Sequence, residues 1–157
     1  MQDQTSRSAT DRRDGFTDRM RANAPDVELL EPQYGGGDQA RSADITKAIL
    51  AANPDLAGIY GSDEGSAFGV VRGGPESGRD DLTIIVFDSG AAQMEAIRSG
   101  QMPGAVTQDP IATGTEVVKA GVKAARGEVQ PPEVDTGFHW YDRTSIDDPE
   151  IQAVLYE

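Results

Sequence analysis

Short apolar runs alternate with amphipathic stretches along most of this 157-residue chain, and the alternation restricts its fold more than any single motif does. The run over 82–87 is uninterrupted and rich in β-branched residues, which is typical of a strand buried on both faces. The pattern predicts strands over 27–31, 56–61, 82–87 and 104–107, helices over 9–23, 38–52, 65–71, 91–98 and 111–125, a loop over 73–78, an extended aromatic segment over 134–142 and a closing helix over 148–156. Strands and helices in this order predict a parallel, doubly wound α/β sheet.

Composition narrows the classes of partner. The chain has 14 Lys and Arg against 27 Asp and Glu, so its formal net charge is −13. A surface of that sign repels phosphate backbones, and we expect no nucleic acid partner. There is no Cys and one His, His139, which excludes disulfides, thiolate nucleophiles and metal sites built on two imidazoles. Polar residues follow Met1, so we expect no signal peptide in this chain.

Polar side chains directly follow three consecutive predicted strands. They are Asp63 and Glu64 after 56–61, Asp88 after 82–87, and Gln108 after 104–107. Ligands of open parallel sheets bind at the carboxyl ends of the strands, where these side chains should converge. Carboxylates and an amide each form two hydrogen bonds, which suits vicinal hydroxyls better than anions. We therefore expect a polyol ligand, although each residue taken alone is also a candidate cap of the following helix.

The same acidic residues allow a second interpretation. Asp63, Glu64 and Asp88 together resemble the divalent-ion site of a phosphoacceptor domain, but such a site also needs a Lys at a later strand end, where Gln108 stands. A small flavodoxin-like enzyme or a phosphorelay domain therefore stays open as an alternative from another class. We expect neither a metal nor a cofactor.

Six short motifs follow one another along nearly the whole chain. They are Arg12-x-x-Gly15-Phe16, Ala52-Asn53-Pro54-Asp55-Leu56, Ser62-Asp63-Glu64-x-x-Ala67-x-Gly69, Phe87-Asp88, Ala96-Ile97-x-x-Gly100 and Gln108-Asp109-Pro110-x-x-x-Gly114. Their order and spacing resemble those of the type I periplasmic sugar-binding proteins. The chain looks like the carboxyl-terminal part of a ribose-binding-protein-like solute receptor for an ABC transporter.

The resemblance implies roles for single residues. The implied sugar contacts are Arg12, Asp63, Asp88 and Gln108, with Tyr34 and Glu64 as additional candidates. Arg12 matches an Arg that bonds sugar oxygens, and Asp88 matches the Asp that takes paired hydroxyls. Asp63 stands where the family usually has Asn, and Gln108 matches the last polar contact before the chain changes lobe. Tyr34 is a candidate for the stacking ring that the family often places where Gly37 falls here.

The family architecture is a clamshell of two lobes that closes on a monosaccharide, without catalysis. On that basis residues 1–108 correspond to part of the carboxyl-terminal lobe, 109–135 to a crossover segment that belongs to the amino-terminal lobe, and 136–157 to the return segment and tail. The implied partners are the sugar, the missing lobe and an ABC transporter permease. The implied location of the intact receptor is the periplasm.

The resemblance also implies that parts of the fold are missing. The family places the first strand of this lobe between the strands over 27–31 and 56–61, ahead of Arg12, yet residues 1–10 are mostly polar. The amino-terminal lobe is absent as well. Five buried strand side chains contribute about 7 to 15 kcal/mol, close to the whole stability of a domain. We therefore expect the chain alone to be poorly stable, to exchange strands with a second copy, or to be a truncated product.

The effector-binding lobe of a lactose-repressor-type transcription regulator has the same fold and is the main alternative. The acidity of the chain and the tail over 140–149 favour transport.

Overall fold

The computed structural model describes residues 1–156, in which a four-stranded sheet is accompanied by six helices. The elements are α1 (Arg7–Asn23), α2 (Gln39–Ala52), β1 (Gly58–Gly61), α3 (Glu64–Glu76), β2 (Thr83–Phe87), α4 (Ala91–Ser99), β3 (Gly104–Gln108), α5 (Pro110–Ala125), β4 (Phe138–Asp142) and α6 (Pro149–Gln152). The strand order is β1-β2-β3-β4, with the first three strands parallel and β4 antiparallel to β3. The predicted α/β class is confirmed, and the sheet is mixed but mainly parallel.

Side-chain caps determine where four of the helices begin. Ser6, Asp38, Asp63 and Asp109 each accept a hydrogen bond from the backbone N–H three residues later, at the starts of α1, α2, α3 and α5. Each cap satisfies a donor that the first helical turn leaves unpaired. Two of these caps, Asp63 and Asp109, lie within two residues of the ends of β1 and β3, so they also shape the rim where the predicted ligand site lies.

The core lies mainly on one face of the sheet. Ile84 and Val86 of β2 are buried there with Ile97 of α4, and α3 contacts both β1 and β2 on that side. Strand side chains alternate between faces, so Phe87 points to the opposite face. On that face α1 makes two side-chain contacts: its Phe16 ring stacks on Tyr60 with centroids 4.7 Å apart, and its Arg12 stacks on Phe87. Helices therefore lie on both faces of the sheet, as in a doubly wound fold, but the α1 face is less deeply buried.

The strand predicted over 27–31 is wrong. That segment has no regular secondary structure, because no neighbouring strand pairs with it in the described part of the chain. The residues that follow the segment contact the start of the chain: the amino group of Met1 donates to the Gln33 carbonyl, and the Gly35 and Gly36 N–H groups donate to the carbonyls of Met1 and Gln2. The outer edge of β1 has no strand beside it in residues 1–156.

The loop predicted over 73–78 is wrong over its first four residues, because α3 continues to Glu76. Gly73 and Gly74 are buried in this last turn, where Gly73 faces Thr46 of α2. Close packing on α2 therefore outweighs the low helix propensity of the Gly-Gly-Pro sequence.

The helix α5 differs from the other long helices, α1 to α4, each of which buries at least one residue. None of its residues is buried, and its apolar side chains Ile111, Val117 and Val118 are 63–66% exposed. The predicted crossover segment therefore stands away from the core in this chain. No helix of the described residues is both long and apolar enough to cross a membrane.

Candidate functional site

Asp88 occupies the turn that follows β2, in a backbone conformation that few residues other than glycine adopt. Its φ is +76°, and it is the one non-glycine residue with positive φ in the described chain. Its N–H donates to the Val106 carbonyl over 2.8 Å, and its carbonyl accepts from the Tyr141 hydroxyl over 3.0 Å. Such strained conformations persist where surrounding contacts hold them and are concentrated at ligand sites.

The Asp88 carboxylate is contacted by all the other residues of the cluster. Its Oδ2 accepts from the Glu64 backbone N–H over 3.0 Å and lies 3.6 Å from Arg12 Nη1. Its Oδ1 accepts from the Tyr156 hydroxyl over 3.0 Å and from Gln108 Nε2 over 3.5 Å. The residue is 8% exposed, whereas Gln108 is exposed. The structure thus brings Asp88, Arg12 and Gln108 together, with Asp88 at the bottom of an open site.

Arg12 reaches this rim from α1. Its guanidinium carbon lies 3.6 Å from the centre of the Phe87 ring, and its Nη1 donates to the Ser62 carbonyl over 2.8 Å. Stacking on a ring and a fixed donor direction hold the planar guanidinium in one orientation. Its side chain is 16% exposed, so some of its surface still faces solvent.

Asp63 lies beside the cluster, but its carboxylate is engaged by its own helix. Oδ1 accepts from the Ser66 N–H over 3.1 Å, and Oδ2 accepts from the Ser66 hydroxyl over 2.6 Å. The Ser62 hydroxyl adds a longer bond of 3.4 Å. Helix capping is therefore the role that the structure shows for Asp63, and sugar contact stays a prediction.

The two additional candidates are placed differently. The Tyr34 hydroxyl accepts from Arg13 Nη1 over 3.3 Å. Glu64 is exposed, and it is its backbone N–H that reaches Asp88. A sugar contact by the side chain of either residue also stays a prediction.

Tyr156 is the main residue of the site that sequence reasoning missed. It stands 68 residues from Asp88, and no spacing or motif links the two positions. Its N–H donates to Ser89 Oγ over 3.0 Å, and Ser89 Oγ donates back to its carbonyl over 3.3 Å. Only the path of the folded tail reveals that Tyr156 reaches the rim.

The local electrostatics favour hydroxyl ligands. Asp63 and Asp88 are both buried, and Arg12 is the cation that faces Asp88. Burial raises the pKa of Tyr60, beneath α1, to about 12, and burial also raises the pKa of Tyr156 above its usual range. Both phenols are therefore neutral hydrogen-bonding groups at neutral pH. Carboxylate acceptors in excess over cations repel anions and accept from hydroxyls.

No group of three or more His, Asp and Glu side chains within residues 1–156 is arranged to hold a metal ion. A cavity of about 260 Å³ lies away from Asp88, lined by Arg21, Pro25, Val27 and Leu29, in the region where the 27–31 segment lacks a neighbour. What the Asp88 cluster offers is a rigid set of hydrogen-bond donors and acceptors that is open to solvent on one side.

Comparison with known proteins gives a consistent result. The sequence profile described as periplasmic binding protein domain matches residues 1–128. The ribose import binding protein of Salmonella typhimurium is 24% identical over 121 residues, which cover 77% of this chain and 40% of that protein. The chain therefore spans less than half the length of this relative.

Solved structures agree with the sequence match. An ABC transporter solute-binding protein from Agrobacterium vitis with bound D-fucose superposes with a TM-score of 0.84 at 32% identity, over 90% of this chain and 49% of that one. A protein from Brachyspira murdochii, titled as an ABC transporter, LacI family transcriptional regulator, gives a TM-score of 0.81 at 31% identity, over 100% and 55% of the two chains. In both cases the match is to about half of a longer chain.

Proposed function

This chain belongs to the periplasmic binding protein domain family, a family of solute-binding receptors rather than enzymes, and on that basis we propose that it recognises a monosaccharide for an ABC transporter. The sugar-contacting residues in this proposal are Arg12, Asp88 and Gln108, with Asp63 beside them. The relative named for ribose import and the solved structure with bound D-fucose support the ligand class. The intact receptor would work in the periplasm.

The observation that carries the proposal is the Asp88 cluster. A buried carboxylate held at φ +76° meets a guanidinium stacked on Phe87 and an exposed amide within 3.6 Å. Side chains that are already fixed lose little conformational entropy when they bind hydroxyls, and this raises the affinity. Carboxylates outnumber cations at this rim, so the site suits neutral sugars better than sugar phosphates, whose negative charge it would repel.

The affinity of this chain should be weak. A micromolar complex corresponds to about 8 kcal/mol, and a lobe that supplies half of it binds at about millimolar. In our proposal the other half comes from an amino-terminal lobe, and closure of the two lobes is what the permease recognises. The residues of α5, none of which is buried, belong to that lobe in the proposal.

The proposal is tested by titrating the 157-residue protein with D-ribose and with D-fucose while following backbone amide shifts by NMR. We expect millimolar binding with the largest shifts at Glu64, Asp88 and Gln108. D88N should weaken binding at least about tenfold. The amide nitrogen of Asn is a donor, so it cannot accept the hydrogen bond that a sugar hydroxyl donates to the carboxylate.

The matched control is D147N, which changes an exposed Asp paired only with Arg98 across 3.4 Å. It should bind like the wild-type protein. Shifts that are absent with both sugars, or that are equal in D88N and D147N, would contradict the proposal.

The likeness to the Brachyspira murdochii protein favours a second candidate, the effector lobe of a transcription regulator. Both candidates bind a small solute at the same rim, so sugar binding does not separate them. The genomic sequence upstream of Met1 does: a signal peptide supports the receptor, and a helix-turn-helix domain supports the regulator.

A further inference from the structure

We propose that Tyr156 competes with the sugar for Asp88, so that the last residues of the chain determine which hydroxyl patterns the site accepts. This inference rests on the proposed function and adds a residue to it. Tyr156 belongs to the C-terminal strap, by which we mean residues 154–156.

Each of the three residues of the strap is held by the rest of the protein. Val154 is buried at 6% exposure, and Leu155 packs against the core. The N–H and carbonyl of Tyr156 are both bonded to Ser89 Oγ, and Ser89 itself is fully buried. The Tyr156 hydroxyl therefore reaches Asp88 Oδ1 from a fixed backbone, and this contact is not the chance position of a loose chain end.

The acceptor capacity of Asp88 decides what the contact does. A carboxylate has about four lone-pair positions. On Oδ2 the Glu64 N–H takes one position at 3.0 Å and Arg12 stands near the other at 3.6 Å. On Oδ1 the Tyr156 hydroxyl takes one at 3.0 Å, and Gln108 stands near the last at 3.5 Å.

A sugar that donates two hydroxyls to this carboxylate has to displace at least one of these partners. The Glu64 N–H is fixed by α3 and Arg12 by its stack on Phe87, so they stay. Gln108 is exposed and makes a long bond, so it yields easily. Tyr156 is the strong, movable competitor, because one side-chain rotation removes its hydroxyl while the strap remains in place.

The experiment compares wild type and Y156F by NMR titration with D-ribose and D-fucose. Y156F keeps the ring and the strap but frees Oδ1. We expect the dissociation constant to fall about tenfold, which corresponds to loss of one hydrogen bond to a charged acceptor. S89A, which loosens the strap from its anchor, should change affinity in the same direction. The control is E150Q, an exposed change on the same tail.

The sign of the change is the decisive result. Tighter binding by Y156F supports the inference, because a residue that only positioned Asp88 would weaken binding when its hydroxyl is removed. If the wild-type protein binds sugar and Y156F binds it equally well or more weakly, the inference is overturned but the proposed function is not. If neither protein shows sugar-dependent shifts around Asp88, the proposed function fails and the inference fails with it.

Discussion

Arg12 connects a helix to the sheet through three contacts. It stacks on Phe87, donates to the Ser62 carbonyl and faces the Asp88 carboxylate. Loss of its side chain leaves Asp88 buried at 8% exposure without a cation and removes packing between α1 and β2. Such half-broken buried pairs are costly because the remaining charge has no compensation.

We predict that R12A lowers the free energy of unfolding by about 2–4 kcal/mol, measured by urea denaturation. R7A is the matched control on the same helix, since Arg7 pairs with Asp11 and Glu133 at the surface with side chains 64–76% exposed. It should change stability by less than about 1 kcal/mol. Equal losses for the two variants would show that the Asp88 contact is not special.

The sequence predicts those residues of the candidate site that stand at the ends of strands. Asp88 directly follows β2 and Gln108 is the last residue of β3, and the parallel sheet brings their side chains within 3.5 Å. Arg12 came from the motif resemblance alone, because nothing in a polar helix shows that one guanidinium turns inward. Tyr156 was not predictable, since its partner depends on the path of a tail without periodicity.

At the level of elements, α2 and α3 pack along a line of small residues. A Cβ placed on Gly69 would lie 2.6 Å from the carbonyl carbon of Ser42 and 2.7 Å from the Ala43 nitrogen. Both are backbone atoms that cannot turn aside. The close approach of the two helices therefore depends on the absence of a side chain at this position.

We predict that G69A destabilises the protein by about 1–3 kcal/mol in urea denaturation. G15A makes the same chemical change in the middle of α1, where a Cβ meets nothing within 4 Å. It should stabilise the protein by about 0.5–1 kcal/mol, because alanine restricts the unfolded chain and favours the helix. Stabilisation by both variants would mean that α2 and α3 separate easily.

The elements that sequence predicted incorrectly have physical explanations in their neighbours. The 27–31 segment has the composition of a strand, but a strand needs a ladder partner, and none lies beside it in residues 1–156. The helix α3 passes through Pro75, which cannot donate to the Val71 carbonyl. Gln101 Nε2 donates to that carbonyl instead, over 2.8 Å, from a position 30 residues away. Periodicity carries no information on either partner.

At the scale of the whole molecule, stability is unevenly distributed. The helix α3 buries seven residues between α2 and the sheet, whereas α5 buries none. Amphipathic helices obtain most of their stability from packing, so an unpacked 16-residue helix is marginal in water.

We predict that native-state hydrogen exchange separates these two helices clearly. Amides of α5 should exchange with little protection, while those of α3 exchange only on global unfolding. The comparison is internal to one sample and needs no variant. Equal protection in both helices would show that α5 has found a partner, for example in a second copy of the chain, and the concentration dependence of the protection would identify it.

The unpaired outer edge of β1 affects how the protein behaves in concentrated solution. A row of free amide and carbonyl groups on a short strand is a template onto which another polypeptide adds, and repeated addition leads to filaments. The net charge of −13 holds molecules apart in dilute buffer. Concentrated salt shortens the range of that repulsion, so protein concentration and ionic strength together set the conditions under which this chain stays dispersed.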